Sequence, residues 1–287
     1  MSQKEKAAEL TKQADNLRNN GQGLAAVEKY KEAADLYDQA DDKQGAAECW
    51  HMVGVSYKVE NDIDAAVKAL EKAAELHHKA GNTVGVGRVY RDIGIAYAYR
   101  KQHDKAIEWL EKSEEALRDG GNYAELGITE AKIGLHYLEV EDYDKADQWL
   151  ERGLATIRKE GHWFYEMTSL LHFAALYLAR EAYSDAVTAL WAGVGLIRQA
   201  GEAEGQKRRL AQIFGLLAHG YLGLGNAVAG ANSFKEAVEL LRPMADNVSD
   251  VVYEDIQAQA FAKQLKKVAP EAYDKLAKEV DLSNLPR

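Results

Sequence analysis

Small and large apolar positions recur along this chain every forty residues. Alanine stands at Ala26, Ala66, Ala106, Ala146 and Ala186. Four residues beyond each comes a large side chain (Tyr30, Leu70, Leu110, Leu150, Leu190), and seven beyond a small one (Ala33, Ala73, Ser113, Gly153, Gly193). Spacings of three and four residues mark one face of a helix. Twelve residues before each alanine, a small residue is followed three positions on by a leucine or tyrosine: Ala14/Leu17, Gly54/Tyr57, Gly94/Tyr97, Gly134/Tyr137 and Ala174/Tyr177. The pattern predicts a preceding helix in the same unit, so each unit reads as a helical hairpin. The same period shows as near-repetition, DKAIEWLEK at Asp104 to Lys112 and DKADQWLER at Asp144 to Arg152.

Glycine inside a helix costs about 1 kcal/mol against alanine. Gly54, Gly94 and Gly134 at equivalent positions therefore predict a neighbour too close for a Cβ, and the helix bearing the recurrent alanine is the expected one. Gly81, Gly121, Gly161 and Gly201 fall between units, where a helix C-terminus favours a residue at ease in the left-handed region. A sixth unit, marked by Ala218/Tyr221 and Ala231, runs out of phase. The stretch Glu202 to Lys207 lengthens its entry, and its turn LGLGNAVAG reads as one residue longer. After Pro243 the repeat stops, and Val252, Ile256, Phe261, Leu265 and Val268 form a stripe expected to be a capping helix, followed by a short helix from Pro270 to about Val280. The expected organisation is six hairpins over residues 1–245 and a capping region over 246–287. The fold class is all-α, a right-handed superhelix in which each hairpin buries its apolar stripe only against its neighbours.

Composition agrees. Only three prolines occur in 287 residues, none before Pro243, so nothing interrupts the earlier helices. The net charge of −10 opposes phosphate neutralisation, so nucleic acid is not an expected partner. No apolar run is long enough to span a bilayer, and the start MSQKEKAAEL lacks an apolar segment behind a basic head, so neither an integral-membrane nor a secreted protein is expected. The expected location is cytoplasmic. The lone cysteine, Cys49, sits among apolar neighbours and reads as a small core residue.

The motif small-x-x-Tyr in the first helix with Ala-x-x-x-large-x-x-small in the second resembles the tetratricopeptide repeat over about Lys6 to Leu241. The unit is forty residues rather than the usual thirty-four and closes with glycine rather than proline. Each helix is therefore expected to be about 5 Å longer. Units of this length are similar to those of the soluble NSF attachment proteins and of the bacterial Rap-type sensors.

No catalytic constellation emerges. No HExxH, P-loop or GxSxG motif occurs, and one cysteine cannot supply a zinc set. His77 and His78 are adjacent, so they point about 100° apart on a helix and read as a solvated face. The pairs Glu114/Glu115, Glu139/Glu141 and Asp142/Asp144 are expected on solvent faces and turns. Trp109 and Trp149 occupy equivalent positions and are expected to stack within the inter-repeat packing. No enzyme activity, cofactor or metal is expected.

The resemblance implies that first helices line the concave surface. Their outward positions are Glu48, His51, Val55 and Lys58, then Arg88, Arg91, Ile95 and Tyr99 in the third unit. The fourth unit offers Ile128, Ala131, Leu135 and Leu138, the fifth Thr168, Leu171, Ala175 and Leu178, and the sixth Gln212, Leu216 and Leu222. The face runs from mixed and basic to apolar. The expected function is a scaffold or adaptor binding a helical or extended protein segment there, with Leu135, Leu138, Leu171 and Leu178 taking apolar anchors and Arg88 and Arg91 receiving an acidic end. The lysine and asparagine clamp of chaperone-tail binders is absent: Thr11, Asp15, Met52 and Asp92 stand there. The family resemblance admits two alternatives. One is an adaptor joining a coiled-coil bundle to an AAA ATPase, for which Leu285 lacks the preceding acidic run; the other is a peptide-responsive sensor.

Overall fold

The computed structural model describes residues 1–244, 257–280 and 282. Among these residues the secondary structure is helical throughout, without strands. Ten helices begin at intervals of twenty residues: α1 (Gln3–Asn19), α2 (Gly23–Gln39), α3 (Lys43–Val59), α4 (Ile63–Lys79), α5 (Thr83–Tyr99), α6 (His103–Asp119), α7 (Tyr123–Glu139), α8 (Tyr143–Glu160), α9 (Trp163–Ala179) and α10 (Tyr183–Gln199). Then come α11 (Lys207–Gly223), α12 (Ala227–Leu241), a 3-10 turn (Arg242–Met244), α13 (Ala258–Val268) and α14 (Pro270–Glu279). The chain divides into two compact units, Met1–Glu160 and Gly161–Arg287. In the first, each of α1 to α8 packs on its sequence neighbours; in the second, the same holds for α9 to α12, and α13 and α14 pack against α12. This is an all-α helical-repeat fold.

The twenty-residue beat comes from the turns. At Gly81 the chain enters the left-handed region at φ 68°, the Gly81 N–H donates to the His78 carbonyl at 3.0 Å, and the Asn82 N–H donates to the His77 carbonyl at 2.9 Å. That pair of bonds ends a helix by capping its last carbonyls. Asn82 is also the N-cap of the next helix, its Oδ1 accepting from the Gly85 N–H at 2.8 Å. Asp42, Asp62, Asn122 and Asn226 cap their helices in the same way. One residue thus closes one helix and opens the next, which limits the linker to three residues. Gly121, Gly161 and Gly201 take positive φ as the sequence predicts. Asp41, Asn61, Lys101, Glu141 and Glu181 take it too, without being glycine.

The helix-interior glycines do what their spacing predicts. A Cβ at Gly54 would lie 3.1 Å from the carbonyl oxygen of Ala66, one at Gly94 3.0 Å from that of Ala106, and one at Gly134 3.0 Å from that of Ala146. Each would also strike the leucine four residues beyond that alanine. The recurrent alanine and the interior glycine are therefore two sides of one close helix crossing.

The sixth hairpin needs a correction. From α11 to α12 the start interval is again twenty residues, so the turn is not longer; only the seven-residue connection between α10 and α11 shifts the phase. The counterpart of the recurrent alanine is Gly230, twelve residues after Ala218, whose carbonyl oxygen a Cβ at Gly230 would meet at 3.1 Å. The partners four and seven residues on are Phe234 and Ala237, both fully buried.

Part of the expected apolar stripe falls on α13. Phe261 and Leu265 are fully buried, and Phe261 stacks on Phe234 with ring centroids 4.7 Å apart. Val268 departs from the expected stripe and is 58% exposed, because it is the last residue of α13 and Pro270 restarts the chain as α14. Val252, Ile256 and Leu285, and the expected boundary at 245, lie outside the described residues.

Candidate functional site

Among the first helices of the first unit, α3, α5 and α7 carry the face singled out by the sequence. Arg88, Arg91 and Ile95 on α5 are half-buried, and Tyr99 at its end is 67% exposed. On α7, Ile128, Leu135 and Leu138 are half-buried. Ala131 is not part of the open face; it is buried, because the stripe left open runs through residue 132, four residues beyond Ile128 and three before Leu135. In the second unit, Leu171 and Leu178 on α9 are half-buried, Leu171 packing on that unit's core, and Leu222 is buried within it. Leu178 lines a cleft of about 310 Å³ with Ala175, Leu216, His219 and Gln264.

Ion pairs between equivalent helices organise the electrostatics of the face. Asp92 receives His51 Nε2 on Oδ2 at 2.8 Å and Lys58 Nζ on Oδ1 at 2.6 Å. Burial alone would raise its pKa, but the bond from His51 and the charge of Lys58 outweigh it and hold the carboxyl well below the usual range. Glu125 receives Arg88 Nε on Oε1 at 2.5 Å and Arg91 on Oε2 at 2.7 Å. Both arginines are therefore held by an acid of the following repeat. Lys132, in the open stripe of α7, lies in the field of Arg91, Lys58 and Asp92. Among the described residues its ammonium makes no hydrogen bond or ion pair. Burial pushes its pKa below the usual lysine range, Arg91 and Lys58 add repulsion, and Asp92 opposes them. Sequence reasoning passed over Lys132 by counting the stripe through Ala131.

Several further polar groups are enclosed by the packing, and His77 Nε2 is buried there without a hydrogen-bond partner among the described residues. His77 is fully buried rather than solvated, because α5 covers that side of α4 and Gly85 leaves room for the ring. Glu48, His51 and His77 bring their ligand atoms within 4.8 Å of one another, a donor set that could hold a metal. Asn82 Oδ1 is taken by the Gly85 N–H, however, so its amide N–H faces His77 Nδ1 at 3.3 Å and the ring proton belongs on Nε2. His51 Nε2 is likewise engaged with Asp92. His51 Nε2 and His77 Nδ1 are thus engaged in hydrogen bonds, while His77 Nε2 has no such partner.

Glu114 is buried rather than solvated, since Arg118 one turn along α6 and Arg152 on α8 enclose it. Arg152 also reaches Glu130 at 3.1 Å, whose other oxygen accepts from Thr156 at 2.9 Å. Trp109 and Trp149 do not stack together; Trp109 tilts against Tyr90 at 5.2 Å and Trp149 lies under Arg152 at 4.2 Å. A full repeat separates them, so each meets the residues of its own groove. Cys49 is buried, with a thiol pushed up to about 11 chiefly by burial, as suits an inert core residue.

The tetratricopeptide repeat model matches residues 50–119, which span most of α3 to α6. The match covers about a quarter of the chain, and helical hairpins of the same length continue on both sides of it. No curated protein matches its sequence. Among solved structures, the apo form of RapI is similar over 96% of this chain and 99% of its own, at a TM-score of 0.70 and 17% identity. BtubC from P. vanneervenii covers 86% of this chain and 94% of its own, at 0.66 and 13%. A Rap protein complexed with Competence and Sporulation Factor covers 96% and 75%, at 0.61 and 16%. At these identities the likeness concerns the fold of the repeats, and the use this protein makes of them has to be argued from its own side chains. Among the described residues no helix is long and apolar enough to cross a membrane.

Proposed function

We propose that this repeat protein is an interaction module that receives a protein segment, extended or helical, along the first-helix face of α5 and α7. One observation carries the reading. Ile95, Tyr99, Ile128, Leu135 and Leu138 stay partly open on a face whose cations outnumber its carboxylates. Apolar positions left open at a charged rim are where a partner gains most by burying side chains. Leu135 and Leu138 take apolar anchors, each contributing about 1.5 to 3 kcal/mol when fully covered. Leu171 and Leu178, on α9 of the second unit, are proposed as further anchor positions. Arg88 and Arg91 share one carboxylate, so the pair keeps one positive charge that orients an acidic segment and speeds its arrival more than it tightens binding. The Rap protein solved with Competence and Sporulation Factor supports the use of such a fold to hold a partner.

Selection of a phage-displayed dodecapeptide library against the full chain tests the proposal. The expected outcome is enrichment of peptides that join two or more large apolar residues to an aspartate or glutamate. Enrichment of basic peptides, or no enrichment over a scrambled library, contradicts it.

A further inference from the structure

We propose that Lys132 is a recognition point for a side-chain carboxylate, an aspartate or glutamate within the segment that occupies this face. The inference deepens the proposed function and begins from a count of oxygens. Asp92 and Glu125, the carboxylates paired across α3, α5 and α7, each already accept on both oxygens from groups other than Lys132. Asp92 spends Oδ1 on Lys58 and Oδ2 on His51, and Glu125 spends Oε1 on Arg88 and Oε2 on Arg91. Lys132 comes from the next repeat, at the position equivalent to Asp92, and finds both acids engaged. Four cations, Lys58, Arg88, Arg91 and Lys132, stand against three carboxylates, Glu48, Asp92 and Glu125, none of them bonded to Lys132. A half-buried ammonium without a partner is costly to keep, and a protein indifferent to anions gains by replacing it with an apolar residue.

The place of Lys132 on its helix selects the kind of carboxylate. Ile128 precedes it and Leu135 follows it on the same open stripe of α7. Apolar side chains on both sides suit a segment that continues past the lysine in both directions. That favours an internal acidic side chain over a chain terminus. Arg91 and Lys58 lie near enough to repel the lysine, so an arriving carboxylate would be attracted by all three.

Succinate serves as the probe, because it offers carboxylates without apolar anchors. Thermal melts of the full chain are recorded with succinate or with sodium chloride at matched ionic strength, for wild type, Lys132→Met and Lys132→Arg. Succinate should raise the melting temperature of wild type above the chloride control, with an apparent affinity at least ten-fold weaker for Lys132→Met and largely retained for Lys132→Arg. Without added anion, Lys132→Met should melt above wild type. Two results overturn the proposal: an equal response to succinate in wild type and Lys132→Met, or a fall in melting temperature for Lys132→Met without anion, which would make the lysine a structural contact. If Lys132→Met does not fold, the wild-type comparison of succinate with chloride decides alone, absence of a difference being the contradicting result. None of these readings depends on a peptide being found, so the lysine site and the docking face stand or fall separately.

Discussion

Glu141 and Gly121 occupy the same kind of turn, with φ of 62° and 70°, yet one is a glutamate. A side chain in the left-handed region costs about 1 kcal/mol, and glycine there avoids it. A Cβ added at Gly81, Gly121, Gly161 or Gly201 would meet no atom within 4 Å, so only backbone strain separates the two residues. Glu141→Gly should therefore stabilise the protein by about 0.5 to 1 kcal/mol and Gly121→Ala should destabilise it by about 1 kcal/mol, as read from urea denaturation midpoints. The glycines at 81, 121, 161 and 201 could be read from the sequence because a missing side chain is itself a sign of the left-handed region. Lys101, Glu141 and Glu181 could not, since the turn is imposed on them by the flanking helices.

His136 supplies a second test at this scale. Its pKa falls to about 4, through burial first, then the neighbouring His103 at 3.4 Å and the charge of Lys132. The unfolded chain takes up a proton near the ordinary value of about 6.5 while the native chain stays neutral. Native stability is therefore full above about pH 6.5 and falls as the pH drops towards 4, by on the order of 3 kcal/mol from this ring. Urea melts at pH 7.5 and 4.5 should show that loss, and His136→Gln should remove part of it.

Among the elements, α13 is the one whose removal has the clearest consequence. It closes the apolar side of the last hairpin by setting Phe261 against Phe234 and edge-on to His219. A terminal repeat needs such a cover because it has no further neighbour to bury its face. Phe261→Ala should cost about 3 to 5 kcal/mol in denaturant unfolding. The covering stripe was legible at Phe261 and Leu265 because helical spacing alone specifies it. The end of the element was not, since Val268 fits the spacing but falls where Pro270 begins a new helix. Much the same happened at the sixth hairpin, where Ala231 fits the expected residue type while Gly230 holds the position.

At the scale of the whole molecule, the net charge of −10 and the cationic face of α3, α5 and α7 pull in opposite directions. Salt screens the repulsion of an acidic partner by the overall charge beyond the Debye length of about 8 Å, whereas on the proposed reading the groove attracts it at contact. On the proposed reading, specificity for an acid within an apolar segment comes from the side chains lining the groove. The hairpin fold was legible through the first five units, since period, alanine register and glycine register are all local features. The site was legible only as a set of positions. Pairing partners such as Arg88 with Glu125 lie 37 residues apart and join different repeats, so the sequence could not show which charges were already neutralised. Lys132 stood out only once both nearby carboxylates were seen to be occupied.

Titration calorimetry with a dodecapeptide recovered by the library selection tests the central claim most directly. The account predicts that Leu135→Ala and Leu138→Ala each weaken binding about ten-fold or more, while Trp191→Ala, on α10 of the second unit, leaves it unchanged. Equal affinity for wild type and both leucine variants, with their folds intact, would place the partner elsewhere on the molecule and contradict the account.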